Sequence, residues 1–194
     1  MKFKITESSL SRIWEHNVEH DCGAISAFRK YYKRKENRER SREMSALLVS
    51  KGYSVTKLKG KYPEEGGSHD EEHDNFEQSF WVVDSEDTGN LEKDLLEFGR
   101  GYEQDSVLFC PVGAIDNKAK AYLNVLKDLE WASAGDKSHF DTAKLGHESP
   151  IYTSYINGRP FLFESIINEI DKPQGMAVTL YHKYLKEAKK RIGE

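Results

Sequence analysis

The chain has 194 residues, 37% of them hydrophobic and 32% charged, with a formal net charge of −4. This length fits one domain, the acidic balance argues against general nucleic-acid affinity, and the absence of any run of about 18 apolar residues excludes a membrane-spanning helix. Residues 1–7 (Met-Lys-Phe-Lys-Ile-Thr-Glu) lack the apolar stretch of a secretory signal, and the only two cysteines, Cys22 and Cys110, sit in apolar strand-like segments. Reduced core thiols in a cytoplasmic protein are therefore expected.

Thr6 can cap a first helix that runs to about His20, with Leu10, Ile13, Trp14 and Val18 on one stripe. A buried strand over Ala24–Phe28 follows, then a basic connection and a second helix from about Lys35 to Lys51, with Gly52 placed to cap its end. Residues 36–43 of that helix hold nothing apolar, so this half either projects into solvent or meets a charged ligand. A strand over Tyr53–Lys59 leads into an acidic loop, and the alternation of Glu77–Asp84 predicts a core strand. Asn90 is placed to cap a third helix through Tyr102, and a fourth strand, Asp105–Cys110, stops at Pro111.

Ala121–Leu126 reads as a strand, although Lys118–Leu129 can also be drawn as a helix. Residues 130–150 read as a long irregular loop, which is either functional or conceals an element. Asn157-Gly158 between two apolar runs predicts a tight hairpin, and Ala177–Ile192 predicts a basic amphipathic helix. The expectation is one α/β domain over 1–194, with a core over 1–112 and an extension over 113–194. It has a mixed sheet of about five to seven strands with packed helices, closed by the hairpin and the last helix.

Charge is strongly polarised along the chain. Arg29 to Arg42 contains eight Lys/Arg and two Glu, whereas residues 62–77 contain seven acids and no Lys or Arg. The two blocks either screen one another or meet separate partners. Cations beside a strand end and a helix N-terminus form a receptor for an anion. The candidate ligand residues are Ser26 and Arg29 at the strand exit, Arg34, Glu36 and Asn37 at the helix start, and Glu77 and Gln104 at the starts of two later strands. Glu77 and Gln104 share that edge only if their strands run antiparallel to the first. Arg38 and Arg42, with Asp70, Glu71 and Glu72 of the acidic loop, are the candidate partner-binding residues.

His69 and His73 lie four apart among acids but without the flanks of a metal-binding helix. His16 and His20 share the spacing, and His20-Asp21 is similar to the His-Asp dipeptide of metal phosphohydrolases, whose further His and Asp ligands have no counterpart to place here. No dinucleotide fingerprint, phosphate loop or nucleophile elbow occurs, so neither metal nor cofactor is expected. Tyr31-Tyr32 among the cations offers a thin basis for stacking single-stranded bases.

Ile25-Ser-Ala-Phe-Arg29, Glu36-Asn37, Lys51-Gly-Tyr53, Lys59-Gly-Lys-Tyr62, Glu77-Gln-Ser-Phe80, Gln104-Asp-Ser-Val107 and Asn157-Gly-Arg-Pro160 together resemble an uncharacterised family of small phage proteins. The set is also similar in style to the early accessory proteins of T-even phages, which include a factor opposing a host ADP-ribosyltransferase toxin. The resemblance implies a counter-defence protein that neutralises a host defence factor or toxin by binding it. The alternative is an enzyme or sensor for a nucleotide or ADP-ribose-like ligand. Binding of single-stranded nucleic acid is the third reading.

Overall fold

Alternation along the central strands assigns the layers. In β3 (Phe76–Val83), Phe80 and Val82 join one buried cluster while Trp81 and Val83 join another. In β4 (Ser106–Cys110), Val107 and Phe109 go with the first cluster, Leu108 and Cys110 with the second. Such period-two partition is what a sheet covered on both faces requires. The computed structural model describes residues 15–29, 31–61, 76–116, 118–129, 132–140, 142–145, 153–156 and 159–164.

The remaining elements are β1 (Cys22–Ser26), α1 (Arg34–Ser50), β2 (Ser54–Lys61), α2 (Leu91–Gly101), β5 (Tyr122–Val125), β6 (Lys137–His139), β7 (Thr142–Leu145), β8 (Thr153–Ile156) and β9 (Arg159–Glu164). They build one sheet in the order β6-β5-β4-β1-β3-β2-β8-β9-β7. The expected α/β class holds. Among the described residues the sheet has nine strands and all of its pairings are antiparallel. The stretch 130–150, read as a loop, contributes β6 and β7, which are too short to show a period in the sequence. Residues 122–125 form a strand, which decides against a helix there.

The inner part, β1-α1-β2-β3-α2-β4 with spatial order β4-β1-β3-β2, is a pair of split βαβ units, the ferredoxin-like arrangement. Met44 and Leu48 of α1 and Leu91 and Leu95 of α2 pack against Ile25, Phe80, Val82, Val107 and Phe109, so both helices cover the same face. The opposite face carries Cys22, Leu58, Trp81, Val83 and Cys110 beneath Ala114, Ile115 and Phe140. Buried Asn17 fixes the helical segment 15–19 onto this side. Its Nδ2 donates to Cys110 O at 3.0 Å, and its Oδ1 accepts Ile115 N at 2.8 Å.

Helix α1 buries Asn37, Ser41, Met44 and Leu48, a stripe at spacings of four, three and four. Its apolar-free half therefore faces the sheet with polar side chains, an option beyond solvent projection or ligand contact. Gly52, at φ +92°, ends the helix: its N–H donates to Val49 O and that of Tyr53 to Leu48 O. Asn90 precedes α2 but makes no side-chain cap bond. Buried Asp84 organises that turn instead, accepting Thr88 Oγ1 and Gly89 N at 3.0 Å each. The expected Thr6 cap, the acidic loop with Asp70, Glu71, Glu72, His69 and His73, the turn at 157–158 and the helix over 177–192 lie outside the described residues.

Cys22 and Cys110 are free, buried and opposite one another across β1 and β4. Burial pushes the Cys22 thiol up to about 12 and the Cys110 thiol well above its usual value, so neither serves as a thiolate near neutral pH. Gly23 is demanded by packing: a Cβ there would lie 2.4 Å from Leu95 Cδ1 and 2.7 Å from Leu108 O. Because the second contact is backbone, Gly23→Ala is expected to lower stability by about 2 kcal/mol, read as a shifted denaturant midpoint with an unchanged slope.

Candidate functional site at the end of the central strands

Strand β1 runs antiparallel to both neighbours, with Ser26 opposite Ser79 on β3 and Ala24 opposite Leu108 on β4. The exit of β1 therefore lies at the same sheet edge as the entrances of β3 and β4. Arg29, Glu77 and Gln104-Asp105 are brought to that edge from three separate stretches of sequence. Glu77 occupies β3 two residues before Ser79, opposite Gly60 of β2.

Most of the polar side chains predicted here hold the loop after β1 in shape. Ser26 Oγ donates to Gln78 O at 2.9 Å and accepts Phe28 N at 3.0 Å. Asn37 accepts Arg29 N and donates to Arg29 O, both at 2.9 Å, and donates to Tyr32 O at 3.1 Å. Gln104 Nε2 donates to Phe28 O at 3.2 Å and Tyr102 O at 3.1 Å. Glu36 accepts Lys33 N at 2.9 Å, so the first turn of α1 is answered by the chain's own carboxylate. That differs from an open anion seat at the helix N-terminus. Arg34, Arg38 and Arg42 are exposed along α1, away from these contacts.

Sequence reasoning passed over the residue that binds this loop together. Arg40 lies 4.5 Å over the Tyr32 ring and 5.2 Å from that of Tyr102. It donates from Nε to Ala27 O and from Nη2 to Tyr102 O, both at 2.9 Å. Its only sequence signal is its position one residue before buried Ser41 on an otherwise charged helix, and a charge run conceals that.

The cations at the edge itself are matched. Arg29 Nη1 donates to Asp105 Oδ1 at 2.8 Å, and Lys127 Nζ reaches the same oxygen at 2.6 Å. Glu103 Oε2 accepts the hydroxyls of Tyr31 at 3.1 Å and Tyr32 at 3.3 Å. Arg29 is 16% exposed, whereas Asp105 and Lys127 are about half exposed (48% and 47%), so the pair opens outward on its carboxylate side. The edge therefore offers both signs of charge, with two aromatic rings beside them. An open groove of about 660 Å³ along α1, lined by Tyr32, Glu36, Glu39, Arg40, Arg42 and Glu43, adjoins it through Tyr32 and Arg40. Among the described residues no cluster of three metal-ligating side chains forms; His20 Nδ1 lies 2.9 Å from Asp87 instead.

Burial alone would raise the Asp105 carboxyl, but the hydrogen bonds from Lys127 and Arg29 outweigh it and hold the group below its usual range. A depressed folded-state value contributes stability above the unfolded value of about 4, and that stability is lost as pH falls through the folded value. Asp105→Asn is accordingly expected to flatten the acid limb of a stability–pH curve below about pH 4. An unchanged limb would contradict this assignment.

Fold and edge together define a ferredoxin-like α/β domain carrying a polar rim of mixed charge. Residues 23–163 match the sequence profile of the S-adenosylmethionine lyase family, and the chain belongs to that family. The matched span starts within β1 and ends within β9, taking in every strand described above. No curated protein matches the chain.

Proposed function

We propose that this protein cleaves S-adenosylmethionine as a lyase, binding it at the rim formed by Arg29, Glu103, Asp105 and Lys127. Membership of the S-adenosylmethionine lyase family supports the reading. The observation that carries it on this chain is the rim's paired polarity. S-Adenosylmethionine bears a carboxylate, an ammonium and a sulfonium, so a receptor of one sign alone would repel part of it. A guanidinium such as Arg29 can grip the carboxylate bidentately. Asp105 and Glu103 are placed to receive the positive groups, and the Tyr31 and Tyr32 rings offer flat surfaces for a purine or a sulfonium.

The chemistry such a rim serves needs no outside nucleophile. The sulfur leaves as a neutral thioether, taking the carbon–sulfur electron pair. The carbon left behind is satisfied either by the substrate's own carboxylate oxygen closing a ring, or by transfer of a neighbouring proton to water as the adjacent C–H pair forms an alkene. The contribution assigned to this chain is orientation, with Arg29 fixing the carboxylate relative to the breaking bond. A cytoplasmic setting, expected from the sequence, belongs to the same proposal.

The test is incubation of the purified chain with S-adenosylmethionine, followed by chromatography of adenine-containing products. Appearance of 5′-methylthioadenosine supports the reading, and the co-product separates ring closure from elimination. A chain that binds S-adenosylmethionine without consuming it would point to a sensor; one that neither binds nor consumes it would sink the proposal.

A further inference from the structure

We infer that the outward basic flank of α1 docks an acidic helical segment of a partner protein. At 100° per residue the helix sorts its charges. Arg34, Lys35, Arg38 and Arg42 fall on one flank and Glu36, Glu39 and Glu43 on the other, all seven exposed. Arg38, Arg42, Ser45 and Val49 follow one another at spacings of four, three and four, the repeat by which one helix presents a stripe to another. Val49 is 58% exposed, an apolar side chain at the end of a row of arginines.

Among the described residues Arg34, Arg38 and Arg42 have no carboxylate within ion-pair distance. By contrast Arg29, Arg40, Lys51, Lys127 and Lys137 each have one. Unpaired arginines beside an exposed apolar residue match the composition of protein interfaces, where arginine and apolar anchors are enriched. Guanidinium groups a helical turn apart fit carboxylates at the same repeat on a partner helix.

A nucleic-acid strand fits less well. Base stacking calls for aromatic rings next to the cations. Among the described residues no aromatic ring lies over Arg34, Arg38 or Arg42, the Tyr32 ring lying under Arg40 instead, and Glu36, Glu39 and Glu43 line the groove beside it, where phosphates are repelled. The geometry selects a partner that is acidic, helical and partly apolar.

The experiment measures fluorescence anisotropy of three labelled probes against the full chain. They are a 21-residue helical peptide with glutamates every fourth residue and one leucine stripe, a scrambled peptide of the same composition, and a 20-nucleotide oligo-dT. The helical peptide is expected to bind at least tenfold more tightly than the scramble or the oligonucleotide. R38E/R42E should weaken it tenfold or more, V49D about fivefold, and K93E on α2 should leave it unchanged. A lysine-for-glutamate version of the peptide should recover binding to R38E/R42E, which a merely misfolded variant would not allow. Equal binding of the scramble, tighter binding of the oligonucleotide, or no binding of the helical peptide at 1 mM would each overturn the inference.

Discussion

Replacing Arg40 with methionine is expected to cost about 3 kcal/mol of stability, because two charge-assisted hydrogen bonds go and Ala27 O is stranded, Tyr102 O keeping only Gln104 Nε2. Methionine keeps much of the stem between Tyr32 and Tyr102, so the loss isolates the head group. Ala27 O and Tyr102 O each lose their guanidinium donor, and the side chain that served them is only 19% exposed, so water replaces it poorly. Arg40→Lys should recover little, since a single ammonium cannot reach both carbonyls while stacked between two rings. Denaturant unfolding of the three proteins provides the measurement. A loss below about 1 kcal/mol for Arg40→Met would mean that Asn37 and Gln104 suffice to hold the loop.

Arg29→Ala should separate chemistry from folding. Its partner Asp105 keeps Lys127 at 2.6 Å, so the carboxylate is not left bare, and the stability change should be limited to the lost packing of a side chain that is 16% exposed, about 1–2 kcal/mol. If Arg29 grips the substrate carboxylate, kcat/KM for S-adenosylmethionine should fall by roughly 30- to 100-fold, the worth of about 2–3 kcal/mol in a charge-assisted contact. Arg29→Lys should restore part of KM and less of kcat, because a point charge attracts the carboxylate without setting its plane. A variant that turns over normally would remove Arg29 from the site while leaving the lyase reading intact. The corresponding comparison at the entrance of β3 is Glu77→Gln, which removes a charge at constant size.

The strands with strong alternation were legible from the sequence: β3 through Phe80–Val83, β4 ahead of Pro111, and the β8–β9 pairing across Asn157-Gly158. The short strands β6 and β7 were not, since three or four residues of mixed polarity carry no measurable period. At the site, the convergence of Arg29, Glu77 and Gln104 depended on strand direction, which a periodic pattern does not encode; the register supplied it. Asn37 and Gln104 stood out as polar residues near strand ends, yet their amides are spent on backbone carbonyls and amides of the loop. Lys127 was invisible for a different reason. It follows β5 and reaches Asp105 only because β5 pairs with β4, with Val125 opposite Ser106.

The placement of β1 has a consequence for how the molecule comes into being. This strand leaves the ribosome before either of its neighbours, and its partners at residues 76–83 and 106–110 are made much later. During synthesis Ile25 and the segment leading to Arg29 wait unpaired, with local helix formation at 34–50 as the early option nearby. The rim is thus complete only once the chain has been made through Lys127, about a hundred residues after Arg29, and a nascent chain stalled before that point would carry an incomplete set of countercharges.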